Sequence, residues 1–165
     1  MVLTKAELIA ALQHEVNILL HLAGKVDERS IDYRPTPKQR STIEWLRYLT
    51  IMGPEMVKAT KAGAFSPEAW TAAEQACSTL TLDEVKAALA TQGSVMAAEL
   101  DAMSDADFRS DLEMFGQKYT RGSFLVTLVL CGYAAYRAQV FLYLKTCGRE
   151  ELNTMNLWAG VDGPM

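Results

Sequence analysis

The chain is poor in the residues that most often announce chemistry. It holds only two histidines, His14 and His21, in 165 residues. They stand two helical turns apart, on a face opposite the apolar stripe described below, so both are expected at the surface. Its three cysteines, Cys77, Cys131 and Cys147, are odd in number. No two of them form a C-x-x-C pair, which excludes a disulfide framework or a zinc knuckle. They fit a reducing compartment, where a thiol packs as a small hydrophobe, and Cys131 is expected in the core. No basic excess exists either: the formal net charge is −4. The densest basic run, Lys38-Gln39-Arg40, is short and reads as a solvated loop, so no nucleic-acid partner is expected. Lys5 and Glu7 interrupt any leader-like apolar run. The longest uncharged stretch, Gly122–Tyr136, is too short to span a bilayer and ends at Arg137. The expected setting is cytoplasmic, without membrane contact.

What is present is helical periodicity. Half of the residues are hydrophobic and 22% are charged, a globular balance that fits one domain over 1–165. Leu8, Leu12, Val16, Leu19, Ala23 and Val26 recur in steps of four and three, one stripe of a helix. Thr4 followed by Glu7 reads as its capping box. A polar linker with Pro35 and Pro37 comes next. Ser41 or Thr42 then opens a second helix through Trp45, Leu49, Met52 and Met56, with Tyr48 beside the stripe. Pro54 removes a backbone donor there and should bend the run near Thr50. Gly63 closes it. Ser66-Pro67-Glu68 starts a short helix to about Cys77. Thr81 and Glu84 form a further box, opening a helix to about Met103 that Gly93 weakens in its middle.

Ser104–Gly122 carries no clear period and is expected to be irregular, with a brief extended piece. The last long helix should run from about Ser123 to Thr146. Regular phasing puts Leu125, Leu128, Val129, Gly132, Tyr136, Gln139, Val140 and Tyr143 on its inward face. Gly148 stops it. In the tail, Leu152, Met155, Leu157 and Trp158 are placed to tuck against the bundle. The class is therefore all-α: an antiparallel four-helix bundle with one short extra helix and a packed C-terminal tail.

Three stretches carry a family resemblance. Arg34-Pro35-Thr36-Pro37 leads to Arg40-Ser41-Thr42-Ile43-Glu44-Trp45-Leu46-Arg47-Tyr48-Leu49. Gly132-Tyr133-Ala134-Ala135-Tyr136-Arg137-Ala138-Gln139 lies on the last helix, and Tyr143-Leu144-Lys145-Thr146-Cys147-Gly148 ends it. Their order and spacing resemble the DinB-like four-helix bundles. Many members of that family hold a divalent metal with three histidines, one on the second helix and an i, i+4 pair on the last. The chemistry known or suspected for them is thiol transfer or hydrolysis. Carried over, those ligands fall on Tyr48, Gly132 and Tyr136. Glycine has no donor, and neutral tyrosine is a poor one, so neither the family's metal nor any other cofactor is expected.

Two readings of the replaced positions stay open. In one, tyrosine rings simply fill the space. In the other, Glu44, Tyr48, Met52, Gly132, Tyr136 and Gln139 surround a remodelled pocket for a small apolar ligand, with Gly132 leaving room. Glu44 would then sit one turn before Tyr48, and Gln139 one turn beyond Tyr136. The expected function is small-molecule binding or a structural role, as a homodimer built on the broad apolar surface of the last helix, with no catalytic residue assigned. The alternative is a metal-dependent thiol transferase or hydrolase using His14, His21 and carboxylates.

Overall fold

Reciprocal caps start the long helices. Thr4, Ser41 and Thr81 each accept from the amide three residues on, and Glu7, Glu44 and Glu84 reach back to the cap amides. The computed structural model describes residues 3–163. Within it α1 spans Lys5–Ala23, α2 Thr42–Ala62, α3 Pro67–Cys77 and α4 Leu82–Asp101. A short α5 (Asp105–Arg109) and an antiparallel hairpin, β1 (Asp111–Met114) and β2 (Gln117–Thr120), follow. The segment Ser104–Gly122 is thus more regular than its aperiodic sequence suggests, because Phe115 and Gly116 close a two-residue turn. The last helix is compound. It runs as α6 (Arg121–Phe124), a π-helical stretch Leu125–Leu130, and α7 (Cys131–Thr146). The tail adds α8 (Thr154–Trp158).

Side-chain contacts give the helix directions. Lys5, at the start of α1, donates to the carbonyls of Asp101 and Met103 at the end of α4, so that pair is antiparallel. Trp45 bonds Tyr143 and Arg121 bonds the Thr60 carbonyl, which makes α2 and the last helix antiparallel. Arg47 reaches the Leu80 carbonyl and Lys61 pairs with Glu99, so α2 and α4 run parallel. Helix α3 supplies the crossover that a parallel return requires. The all-α bundle therefore mixes antiparallel and parallel neighbours. Its core is continuous from Leu12 and Leu19 through Leu49, Leu89 and Met96 to Val129 and Leu144, all nearly inaccessible. Burying a side chain of this size contributes roughly 1.5–3 kcal/mol.

The inward face of the last helix is not the one regular phasing implies. Leu125, Val129, Tyr133, Arg137, Val140 and Leu144 are buried, whereas Leu128 is exposed and Gly132 and Tyr136 are half-buried. The π turn closes on i→i+5 bonds and so holds more residues than an α turn. Just beyond Val129 the inward positions fall one residue later, on Tyr133 and Arg137, while Val140 and Tyr143 are buried as regular phasing places them. Cys131, expected in the core, is exposed for the same reason.

By length and composition the helix Arg121–Thr146 could cross a membrane. Here its inner face fills the bundle and its Arg137 is buried against Glu15 of α1. Arg137 also donates to the Leu157 carbonyl and lies under the Trp158 ring, 4.9 Å from its centroid. Of the tail residues expected to tuck in, Leu152 is buried, but Met155 and Trp158 are exposed. His21 is not a surface group. The tail covers it, and the Asn156 amide lies 3.0 Å from its Nε2. His14 stays exposed, with Nε2 3.0 Å from the Trp158 carbonyl oxygen.

Pro54 sits inside an unbroken α2. Its missing N–H leaves the Thr50 carbonyl without its helical donor. The Gln92 amide, from α4, donates to both the Leu49 and Thr50 carbonyls at 2.8 Å. The neighbouring Gly53 lets Tyr133 approach: a Cβ there would stand 2.0 Å from the Tyr133 hydroxyl.

Candidate functional site

The face between α2 and the last helix carries an aromatic cleft of about 240 Å³. Helix α2 contributes Tyr48, Met52 and Met56, spaced at four residues and so on one face. Leu128 and Tyr136 stand opposite. Phe65, just before α3, and Trp70, within it, form a third wall. The hairpin tip supplies Phe115 from above, 5.3 Å from the Phe65 ring centroid. Tyr48 is the hub. It meets Tyr136 edge to face at 5.6 Å and Trp70 at 5.9 Å. Trp45 stacks on Tyr136 at 4.5 Å from behind.

Electrostatically the cleft is quiet, since no ionised side chain lines it. The Arg40 guanidinium lies over the Tyr48 ring at 4.4 Å but does not line the cleft. The Tyr48 phenol is pushed up to about 12, first by burial and then by the adjacent Tyr136 phenol. It therefore stays protonated and can donate. Apart from each other, the two phenols have no hydrogen-bond partner among the described residues. Neither is an enclosed orphan.

The structure brings Tyr48, Met52 and Tyr136 together and leaves the other pocket candidates outside. Glu44 caps α2 through the Ser41 amide and pairs with Arg34 at 3.1 Å. Those bonds hold its carboxyl below the usual range, with the backbone bond the largest cause. Gly132 opens no room, because the Met52 methyl already occupies it, 3.3 Å from where a Cβ would lie. Gln139 is half-buried and lines no part of the cleft. Sequence reasoning missed Phe65, Trp70 and Phe115, whose elements are far apart in the chain. The usable signal was an aromatic residue on each side of the α3 start.

Among solved structures, the chain is similar to the crystal structure of a DinB-like protein, YjoA, from Bacillus subtilis. The TM-score is 0.70 at 19% identity, covering 88% of this chain and 94% of that one. The fold is DinB-like. At that identity the likeness concerns architecture alone. No family model matches the sequence, and no curated protein does. The metal of many DinB-like proteins does not fit the residues here. A protonated Tyr48, the bare backbone of Gly132 and a second phenol offer no ligand set. Among the described residues, no three His, Cys, Asp or Glu side chains stand together as metal donors.

Proposed function

We propose that this DinB-like chain is a small-molecule-binding protein that takes an apolar ligand in the aromatic cleft. One observation carries the reading. The cleft joins the positions that replace two of the family's ligands, Tyr48 and Tyr136, with rings from α3 and the hairpin, and no charge lines it. Exposed apolar surface gathered in a concavity is the usual form of a ligand site. The setting is cytoplasmic, in keeping with three unpaired thiols. The protein works as a homodimer through the outer face of α7, where Cys131, Ala135 and Leu142 are exposed along one stripe.

A thermal-shift screen of neutral apolar metabolites tests the ligand reading, with Trp70 fluorescence as a second signal. Hits should raise the midpoint of the native protein. Leu128→Arg, a change at a position 37% exposed, should keep the fold and abolish the shift. Hits that stabilise both proteins equally bind elsewhere and defeat the proposal.

A further inference from the structure

The cleft constrains its occupant beyond being apolar, an argument that rests on the binding role just proposed. Its volume, about 240 Å³, is under the roughly 300–1,000 Å³ of drug-sized sites, so the occupant is small. Aromatic rings supply most of its walls, and two of them meet edge to face. Rings so placed favour another flat ring, and the thioethers of Met52 and Met56 add sulfur–aromatic contacts.

Charge is disfavoured from both sides. A cation inside would meet the Arg40 guanidinium across the Tyr48 ring, whose outer face Arg40 already covers. An anion would have no lining cation and would face negative ring faces. Polarity is not absent, however. The Trp70 indole N–H has no partner among the described residues, unlike that of Trp45, which bonds Tyr143 at 3.4 Å. With the Tyr48 and Tyr136 phenols this gives three hydrogen-bond donors on residues that line one cleft.

We infer that the ligand is an uncharged, planar aromatic molecule of one or two fused rings carrying a hydrogen-bond acceptor. Its ring lies between Met52, Trp70 and Phe115, and its acceptor meets the Tyr48 and Tyr136 phenols. Phe115 is the specificity-determining wall. It is held at φ 53°, a left-handed conformation that costs a side-chain-bearing residue about 1–3 kcal/mol, while 59% exposed. A turn asparagine would avoid that cost; only a ring uses the position to roof the cleft.

Calorimetry on the full chain with four probes sharing one ring system tests the class: acetylnaphthalene, ethylnaphthalene, naphthoate and naphthylmethyl-trimethylammonium. Acetylnaphthalene should bind about tenfold more tightly than ethylnaphthalene, the value of a hydrogen bond, and both charged probes should bind more weakly. Tyr48→Phe with Tyr136→Phe should erase the tenfold difference by weakening acetylnaphthalene alone. A charged probe binding tightest overturns the ligand class and leaves the cleft as a binding site. So does failure of all four probes while aliphatic compounds from the screen bind. Failure of every compound sinks the binding role itself. Self-association that acetylnaphthalene reverses would assign the cleft to a side chain of a second copy and overturn the class.

Discussion

Gln92 shows how one side chain can offset a break made in another helix. Pro54 frees a carbonyl in the middle of α2, and an orphaned buried carbonyl costs roughly 1–3 kcal/mol. The Gln92 amide bonds that carbonyl and its neighbour from across the helix pair. Gln92→Ala should therefore cost about 2 kcal/mol in urea melts. In a Pro54→Ala background, where the helical donor returns, the cost should drop to roughly half. Equal costs in both backgrounds would separate the two residues. None of this was legible in the sequence, where a proline marks a bend but its remedy lies on α4, two helices later.

His21 is the residue-scale source of pH sensitivity. Burial, and then Lys25, lower its pKa below the ordinary 6.5, with Asp162 opposing. A neutral Nε2 accepts from the Asn156 amide; a protonated one cannot. The folded-state pKa is depressed, so the unfolded chain takes up the proton first. The stability His21 contributes is present above pH 6.5 and is lost as pH falls from there through the folded-state value. The thermal midpoint should fall between about pH 7.5 and about pH 5.5, and fall less in His21→Gln. Carboxylates with lowered pKa, such as Asp27 at about 2, act at lower pH and do not confuse that window.

Among the elements, α8 is held by charge rather than by apolar contact. Arg137 joins Glu15 on α1 to the Leu157 carbonyl on α8, and Trp158 lies over the guanidinium. Removing one partner of a buried pair costs roughly 3–5 kcal/mol because the other charge remains. Glu15→Gln should thus destabilise by about 3 kcal/mol, and Glu15→Leu with Arg137→Met by less. Arg137→Met should also speed hydrogen exchange across Thr154–Trp158 while leaving α4 protected. The sequence placed the tail against the bundle, but not the means, since Arg137 read as the end of an apolar stretch.

The hairpin makes the opposite trade. Phe115→Asn suits the turn and should leave thermal stability unchanged or higher, while weakening acetylnaphthalene binding at least fivefold. A variant that binds as tightly as the native chain would reduce Phe115 to a turn residue.

Seen whole, the bundle was readable where its rules are local. The caps at Ser41, Ser66 and Thr81 need four residues each, and the starts of α2, α3 and α4 followed from them. The cleft was half readable: Tyr48, Met52 and Tyr136 lie on two helices whose stripes face each other. Phe65 and Trp70 at the start of α3 and Phe115 at the hairpin tip arrive from two further segments that only the folded chain brings together. At this scale the dimer is tested directly. Light scattering should give twice the 18.2 kDa chain mass, and Leu142→Lys should return it to one. A native monomer at high concentration removes the α7 interface.

The π turn at Leu125–Leu130 makes the last helix tolerant of a change in its own length. Deleting the Thr127 codon would remove the one extra residue the wide turn holds, let the stretch relax to ordinary α-helix and leave everything beyond it facing as it does now. Such a genetic event preserves both the bundle and its inventory: Tyr133 and Arg137 would keep their places in the interior. In a lineage that gains or loses single codons there, the wide turn absorbs the change, and the same interior persists without passing through an unfolded ancestor.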